Sequence, residues 1–444
     1  MYNAENYRGI HLSSQLSKAV ERLLGHFFLP FLVATGAFGP NQFAYTKERG
    51  CKDALALNTL QWLWALNSGK QVGVYCSDVS GAFDRVETGR LLNKLRALGV
   101  GDKLLRLVGS WLEDREAVVI VDGRCSKKSR LTNMVYQGTV WGPPLWNSYF
   151  GDARQASQQC GFSDTFFADD LTCSKNYDGR LQLEAVKEEL EECQATLHEW
   201  GAANQVVFDA GKESFHVLHR RKPYGESFKT LGVHWDTKLK LDQHCHEQAV
   251  KASWKLRTLL RTQRFYDTKG LTRQYKAQVL PHLETTTPAV YHCTGGVLEE
   301  LDRVQRRFLK AAGLTEEEAL QEHNLAPLQT RRDVAMLGVI HRTVLKRGAP
   351  QFQNWFFFDT RPKHSYPTRL RTGLHSKQLY DYTDDTQSEL LRRSGLGLTQ
   401  VYNKLPQKAV DFSTVKGFQS WLQEEVKKAA KNNKANWQNL WNRR

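Results

Sequence analysis

Cysteine is sparse in this sequence, and its placement excludes two common classes of small site. The eight cysteines among 444 residues never form a C-x-x-C pair, and most lie inside apolar runs. This pattern argues against a zinc ribbon or a disulfide framework and favours a reducing compartment. His244, Cys245 and His246 are adjacent, but consecutive side chains point in different directions, so we predict a solvated turn rather than a metal site there.

Long apolar runs are also missing. No run approaches the roughly 18 residues that suggest a membrane span, and the N-terminus lacks a basic region followed by an apolar signal core. We therefore expect no membrane partner and an intracellular location, in the nucleus and cytoplasm. The first residues enter a structured-looking segment almost at once, which predicts that the chain starts inside a domain.

Positive charge is in excess. The formal net charge is +15, and the field of such a chain attracts polyanions, either nucleic acid or an anionic membrane surface. Charge alone does not decide between these partners, because many basic proteins share it. Hydrophobic residues make up 41% and aromatic residues 11%, which indicates a folded protein, and the length predicts two or three domains.

Periodicity predicts an α+β region followed by helices. Strands and helices alternate up to about residue 235, and the strands include one at 118–121, turned by Asp122-Gly123, and one near Val206. Residues 242–346, in contrast, have helical spacing throughout. A first helix begins after Ser13-Ser14 and is predicted to end at Pro30. An irregular, proline-containing stretch at 350–367 precedes a basic helix at 421–434. We therefore predict boundaries at 1–240, 241–312 and 313–444.

Acidic residues stand at two predicted strand ends. Asp78 follows an alternating strand at 72–76, and Asp169 and Asp170 lie between two short strand-like runs, which predicts a hairpin with both acids at its tip. Carboxylates so placed suit a pair of divalent ions about 4 Å apart, and Mg²⁺ prefers oxygen ligands. Singly they are ambiguous, because Asp-Asp is a common turn dipeptide and Asp often caps a helix.

The segments around these acids form an ordered set. They are Ser77–Asp84 (SDVSGAFD), Gln137–Pro143 (QGTVWGP), Phe167–Asp170 (FADD), Trp200–Lys212 and Leu231–Val233 (LGV). In this order and spacing they resemble motifs A to E of reverse transcriptases. Segments nearer the two ends, NYRGI at 6–10, QFAY at 42–45 and LDRVQRRF at 301–308, resemble those of non-LTR, LINE-type retrotransposons.

The resemblance implies a right-hand polymerase fold. Fingers and a palm with an antiparallel sheet would be followed by a helical thumb and a mostly helical C-terminal region, and the chain would begin within the fingers. The implied activity is RNA-directed DNA polymerisation, with an RNA template, a DNA primer or target and deoxynucleoside triphosphates as partners. Protein partners remain unassigned.

Catalytic roles follow from the motifs. Asp78, Asp169 and Asp170 would hold two Mg²⁺ ions, with Mn²⁺ as the alternative metal, and Lys212 would protonate the pyrophosphate leaving group. Leu231 and Gly232 would belong to the primer grip. Asp209 departs from the asparagine that is usual in motif D. A surface lysine beside Glu213 is the alternative interpretation of Lys212.

Four further residues are candidates for nucleotide binding. Phe83 would exclude a ribose 2′-hydroxyl, unless it is a buried core aromatic. Gly138 would let the backbone approach the nascent base pair and Gln137 would hydrogen-bond nearby, unless Gln-Gly is an ordinary turn. Arg8 would pair with the triphosphate, unless it is simply exposed.

Two other functions remain open from the sequence. The chain could be a truncated or domesticated nucleic-acid-binding protein without catalysis, which would retain the fold and the basic surface. It could also be related to group II intron maturases or RNA-templated RNA polymerases, although the Gln-Arg-Arg segment points away from them. Basic residues around Trp254 in the predicted thumb, Lys251, Lys255, Arg257, Arg261 and Arg264, would follow a template-primer backbone or form a solvated helix face.

Overall fold

The computed structural model describes residues 11–360, 375–383 and 388–442. Two compact units divide it: the first comprises residues 1–46 and 73–217, and the second comprises 47–72 and 218–444. The helices are α1 (Gln15–Ala34), α2 (Cys51–Asn67), α3 (Thr88–Ala97), α4 (Asp102–Leu112), α5 (Gly142–Phe150), α6 (Arg154–Gln159), α7 (Leu183–Asn204), α8 (Asp242–Arg261), α9 (Thr268–Gln278), α10 (Leu280–Glu284), α11 (Thr287–Val290), α12 (Gly295–Ala312), α13 (Glu316–His323), α14 (Leu328–Val344), α15 (Glu389–Arg393), α16 (Leu398–Asn403), α17 (Gln407–Val410) and α18 (Val415–Lys431). The strands are β1 (Gln71–Ser77), β2 (Arg115–Ala117), β3 (Ile120–Val121), β4 (Arg124–Cys125), β5 (Ser129–Leu131), β6 (Ser163–Phe167), β7 (Asp170–Tyr177), β8 (Ser214–Leu218), β9 (Phe228–Thr230) and β10 (Val233–Trp235).

A four-stranded sheet organises the first unit, in the order β6-β7-β1-β8. Strand β1 is buried along its whole length, because helices cover the faces of the sheet with one continuous core. Gly73 shows how close this packing is: an added Cβ atom would lie 3.0 Å from the ring of Tyr177 and 3.1 Å from Val186. Mixed helices and antiparallel strands confirm the predicted α+β class.

Helix α1 corrects one prediction. Ser14 caps its N-terminus as expected, accepting a hydrogen bond from Ser17 N–H, but the helix continues through Pro30 to Ala34. A proline inside a helix costs about 3 kcal/mol, since it removes one hydrogen bond and crowds the preceding turn. Phe28 and Leu32 are buried at 3% and 0% exposure, and this packing holds the last turns in place.

Two other predictions for the first unit have different outcomes. The hairpin at 118–121 is confirmed in a shorter form, because β3 and β4 pair around Asp122 and Gly123, both with positive φ. The strand predicted near Val206 is absent from this described segment. Phe208 instead makes one isolated antiparallel bridge to Val79.

The second unit is mainly helical, as the sequence predicts. Its β9–β10 hairpin packs on α2, where Trp62 contacts Trp235 at 5.1 Å between ring centroids. The segment Leu301–Phe308, which resembles a segment of the non-LTR elements, lies in α12. Its Asp302 accepts two hydrogen bonds, of 2.8 and 2.9 Å, from the buried guanidinium of Arg332 on α14. That arginine is therefore structural.

The predicted solvated turn at His244 is wrong. His244 and Cys245 lie within α8 and are buried, with His244 only 1% exposed. The His244 ring contacts the Thr286 hydroxyl at 3.0 Å and accepts from the backbone N–H of His234. Burial lowers the pKa of His244 to about 4, so the ring is neutral. Helical spacing on α8 turns His244 and Cys245 into the core, whereas His246 stays exposed and pairs with Glu300 at 2.9 Å.

The cysteines, the possible membrane spans and the domain boundaries are the remaining subjects of prediction. All eight cysteines are described, and none forms a disulfide bond. Within the described ranges, no helix is both long enough and apolar enough to span a membrane. The boundaries at 1–240, 241–312 and 313–444 stay a prediction.

Candidate active site

Asp78 follows directly after the buried strand β1, and the main chain fixes its position. The Asp78 carbonyl accepts a hydrogen bond of 2.9 Å from Asp209 N–H, and Ser80 N–H donates to the Val207 carbonyl at 2.9 Å. Val79, between them, is 2% exposed. The side chain of Asp78 retains 14% exposure. The carboxylate thus stands at the solvent edge of an otherwise buried strand end.

The predicted hairpin with acids at its tip is confirmed. Strands β6 and β7 pair antiparallel, with Phe167 opposite Asp170, so Ala168 and Asp169 form the turn. Ala168 has a φ of 60°, a left-handed conformation that is uncommon for any residue other than glycine.

Two residues of the first unit hold this turn. The buried side chain of Gln42 accepts from Ala168 N–H at 2.9 Å and donates to the Ala168 carbonyl at 3.3 Å. The indole N–H of Trp146 donates to the same carbonyl at 3.1 Å. Gln42 also accepts from Ala44 N–H at 3.0 Å. Its motif was recognised in the sequence, but this positioning contact was not, because 126 residues separate the partners.

The three acids meet at one edge of the sheet. Asp170 opens β7 and Asp78 follows the end of the neighbouring strand β1, so their carboxyl groups lie at the same edge of the sheet. Burial is the main cause that raises the pKa of Asp170 to about 6, followed by the charges of Asp169 and Asp78, while Lys212 opposes the shift. Three carboxyl groups therefore share a site where full ionisation is electrostatically unfavourable.

Lys212 is the cation of this cluster. Its ammonium group forms a hydrogen-bonded ion pair with Asp78 and lies 3.5 Å from Asp209. The bond to Asp78 is the largest cause that raises the pKa of Lys212, so this group is protonated at neutral pH. The sequence placed Lys212 beside these acids only through the family motif, and the structure brings them together.

Phe83 lies on a short 3-10 helix at Ala82–Arg85, which follows Gly81 at a φ of 62°. Its ring is half-buried and stacks on Trp146 with 6.2 Å between centroids, and its carbonyl accepts from Val135 N–H at 2.8 Å. The ring of Phe83 thus packs on the core and remains partly accessible, and its role in excluding a ribose stays a prediction.

Gln137 and Gly138 are exposed on the loop before α5. Gly138 has a φ of 78°, and an added Cβ atom would lie 3.0 Å from the carbonyl oxygen of His11, so the position requires glycine. The buried carboxylate of Glu21 accepts from Val140 N–H at 2.6 Å and holds the next residues of this loop. Sequence reasoning missed Glu21, since an acid within an apolar helical run carries no signal of its partner.

The other candidates lie elsewhere. Arg8 lies outside the described residues. Leu231 and Gly232 belong to the second unit, where they form the two-residue turn between β9 and β10 with φ values of 49° and 78°. Left-handed φ at both positions is typical of the type I′ turn that joins antiparallel strands. Their role in a primer grip stays a prediction.

The acids offer suitable ligands for a divalent cation. Their donors are carboxylate oxygens, and a bound cation would offset the burial and the neighbouring negative charges that raise the pKa of Asp170. Among the residues that the structure describes, no group of three or more His, Cys, Asp or Glu is arranged as a preformed metal site. The ammonium group of Lys212 engages one carboxylate oxygen of Asp78.

Curated relatives are proteins of mobile elements. The chain is 28% identical over 215 residues to the RNA-directed DNA polymerase from mobile element jockey of Drosophila funebris, covering 47% of this chain and 23% of that protein. It is 26% identical over 254 residues to the probable RNA-directed DNA polymerase from transposon X-element of Drosophila melanogaster, covering 54% of this chain and 28% of that protein. The chain thus spans about a quarter of the length of these relatives.

Solved structures show a weaker likeness. Apo telomerase from Candida tropicalis is 11% identical, with a TM-score of 0.38, over 76% of this chain and 56% of that one. Telomerase from the same organism in complex with a fragment of telomeric RNA is also 11% identical, with a TM-score of 0.36, over 92% of this chain and 56% of that one. These scores add nothing to the assignment.

A family profile covers more than half of the chain. Residues 3–235 match the family described as reverse transcriptase (RNA-dependent DNA polymerase). That range contains all the motifs from NYRGI to LGV, and the curated relatives come from non-LTR elements, as the motif order predicts. The chain belongs to the reverse transcriptase family.

Proposed function

We propose that this chain is an RNA-directed DNA polymerase of a non-LTR retrotransposon, which extends a primer 3′-hydroxyl with deoxynucleotides. The observation that carries the proposal is the meeting of Asp78, Asp169 and Asp170 at one sheet edge, with Lys212 beside them. An RNA template, a DNA primer or target and deoxynucleoside triphosphates would be its partners.

The three acids would hold two divalent cations, Mg²⁺ or Mn²⁺. When bound, these ions would activate the 3′-hydroxyl and neutralise the triphosphate. The chain's own part is to hold the carboxylates rigidly: Gln42 and Trp146 fix the turn that bears Asp169.

Protonated Lys212 would donate a proton to the leaving pyrophosphate. The bond to Asp78 keeps the Lys212 ammonium group protonated at neutral pH, and the backbone bonds of residues 207–209 to the Asp78 segment keep its loop beside the acids. A positioned general acid contributes roughly 10²–10⁴-fold to such steps.

Sugar selection would fall to Phe83, whose half-buried ring is stiffened by Trp146. Gln137 and Gly138 would contact the nascent base pair from an exposed loop, Arg8 would contact the triphosphate, and Leu231 with Gly232 would support the primer. In this proposal residues 1–240 are fingers and palm, 241–312 the thumb and 313–444 a C-terminal region.

Exposed side chains on α8 support a thumb role. Lys251, Lys255 and Arg257 are exposed beside Trp254, which is 64% exposed. Exposed cations attract phosphates, and an exposed aromatic ring offers a base a stacking surface.

The deciding experiment measures deoxynucleotide incorporation on a primed RNA template with Mg²⁺. Asp169→Asn plus Asp170→Asn should abolish incorporation while template binding persists, because asparagine keeps the shape and removes the charge. Glu184→Gln plus Glu188→Gln, two exposed acids on α7, serves as the matched control. If the unaltered chain binds template but incorporates nothing, it is a nucleic-acid-binding remnant and the proposal fails.

A further inference from the structure

A basic groove lies wholly within the second unit. Its volume is about 780 Å³, and four cationic side chains contribute to its lining, from the loop after β8, from the loop before α8 and from α15. They are Arg220, Lys238, Lys240 and Arg393. Asp242 and Glu389 offset part of this charge. None of these residues is among those proposed for catalysis.

Three of the cations have no acidic partner within the part of the chain that the structure describes. Arg220, Lys238 and Lys240 are exposed and make no side-chain hydrogen bond or ion pair to any residue that the structure describes. Elsewhere in the same unit, by contrast, arginines form tight pairs, such as Arg331 with Glu284. The unpaired cations of the groove are therefore available to an external anion.

The loop that carries the two lysines is held in an unusual conformation. Leu239 and Leu241 have φ values of 55° and 59°, which side chains other than glycine rarely adopt, and both leucines are buried. Burying alternate residues turns Lys238 and Lys240 outward together. Strain of this kind costs of order 1–3 kcal/mol per residue, so it persists only where surrounding contacts fix it.

Those contacts are present on both sides of the loop. The Asp236 carboxylate accepts from the backbone N–H groups of Lys238 at 2.9 Å and Leu241 at 2.6 Å. From the other side, the His292 ring contacts the Leu239 carbonyl at 2.7 Å, and the Cys293 thiol donates to the Lys240 carbonyl at 3.4 Å. The lysines are thus presented on a rigid backbone.

One helix terminus adds to the positive field. Thr294 is the N-cap of the 18-residue helix α12 and lines the groove, but its side chain makes no capping hydrogen bond. Gly295 and Gly296 follow it, and a Cβ atom added at either position would have no neighbour within 4 Å. Uncapped N–H groups at a helix start favour anions. This terminus supplements the lysine and arginine side chains, which carry the argument.

We propose that this groove binds the phosphodiester backbone of a nucleic acid strand, as a contact separate from the catalytic residues. An open groove with cations spaced along it fits a strand with repeated negative charges better than a single enclosed anion. The net charge of +15 on the whole chain would further attract such a polyanion. The inference does not depend on polymerase activity.

The test uses the full chain, with labelled single-stranded RNA and single-stranded DNA as separate probes. Lys238→Ala plus Lys240→Ala should weaken binding and lower the slope of log affinity against log salt by about 1.4, at about 0.7 per lost phosphate contact. Lys103→Ala plus Lys310→Ala removes the same charge from exposed positions outside the groove and should leave the slope unchanged. The ratio between the two probes identifies the strand type.

A second measurement locates the contact. Amine acetylation read by mass spectrometry should slow at Lys238 and Lys240 when either probe saturates the chain, and it should not slow at Lys103 or Lys310. Polyglutamate tests whether any polyanion suffices. The proposal is overturned if the groove variant binds as the control does, if neither probe protects the two lysines, or if polyglutamate protects them equally.

Discussion

Asp170→Asn should make the metal-free protein more stable near neutral pH while abolishing its activity. The pKa of Asp170 is about 6 in the folded chain against an ordinary value of 3.8. A group whose pKa is raised by folding contributes stability below its unfolded pKa and loses it as pH rises through the folded value. The wild-type chain should therefore lose stability between about pH 4 and pH 6.

The pKa difference sets the size of the effect. It corresponds to about 3 kcal/mol above pH 6, and partial solvent exposure of Asp170 reduces this to roughly 1–2 kcal/mol. Asparagine carries no charge to be repelled, so the variant should keep that stability at neutral pH. Below about pH 4 the two proteins should converge, because Asp170 is then protonated in both the folded and unfolded states.

Urea unfolding in the presence of a chelator measures this difference. Other groups also titrate in this range, so the quantity of interest is the variant minus wild-type free energy of unfolding at each pH. Glu191→Gln, an exposed acid on α7, controls for loss of a carboxylate. Added Mg²⁺ should stabilise wild type more than Asp170→Asn, because only the native cluster gains a favourable ligand. A variant no more stable than wild type at neutral pH would refute the reasoning.

Three further predictions concern the same unit. Gln42→Met should lower the free energy of unfolding by about 2–4 kcal/mol in urea, since Ala44 and Ala168 would each keep a buried N–H without its acceptor. A decrease in the free energy of unfolding no larger than that of Gln155→Met, at an exposed position, would contradict this. Lys212→Ala should lower kcat by roughly 10²-fold with little change in KM, and Lys212→Arg should also be slow because its pKa is too high for proton donation; unchanged kcat would exclude the role. Phe83→Ala should raise ribonucleotide incorporation relative to deoxynucleotide incorporation, and an unchanged ratio would make this ring purely structural.

Local chemistry made part of the site predictable. The hairpin bearing Asp169 and Asp170 could be predicted because two short apolar runs flank a pair of turn-forming acids. The strand before Asp78 follows from its alternating, β-branched residues. Asp78 and Asp169 are 91 residues apart in sequence, and this spacing does not predict that they lie at the same edge of the sheet. Only the family motifs indicated that the two acids come together.

Other features depend on contacts that local patterns do not reveal. Pro30 is a strong local signal for a helix end, yet burial of Phe28 and Leu32 outweighs it. His244 appears polar and exposed in sequence, although its helix turns it into the core. Glu21 and Gln42 hold backbone groups more than a hundred residues away, which no periodicity encodes.

Two main-chain bonds attach the loop that carries Lys212 to the Asp78 strand end, from residues 207 and 209 to residues 80 and 78. Every amino acid except proline can donate such bonds, so the exposed side chains of this loop can differ without moving the lysine, whereas Phe208 is held in the core. Asp209, where the family usually has asparagine, is an example: it changes the charge 3.5 Å from the Lys212 ammonium and leaves the attachment intact. Single substitutions in this loop would therefore change the pKa of Lys212 while the main-chain attachment of the loop stays the same.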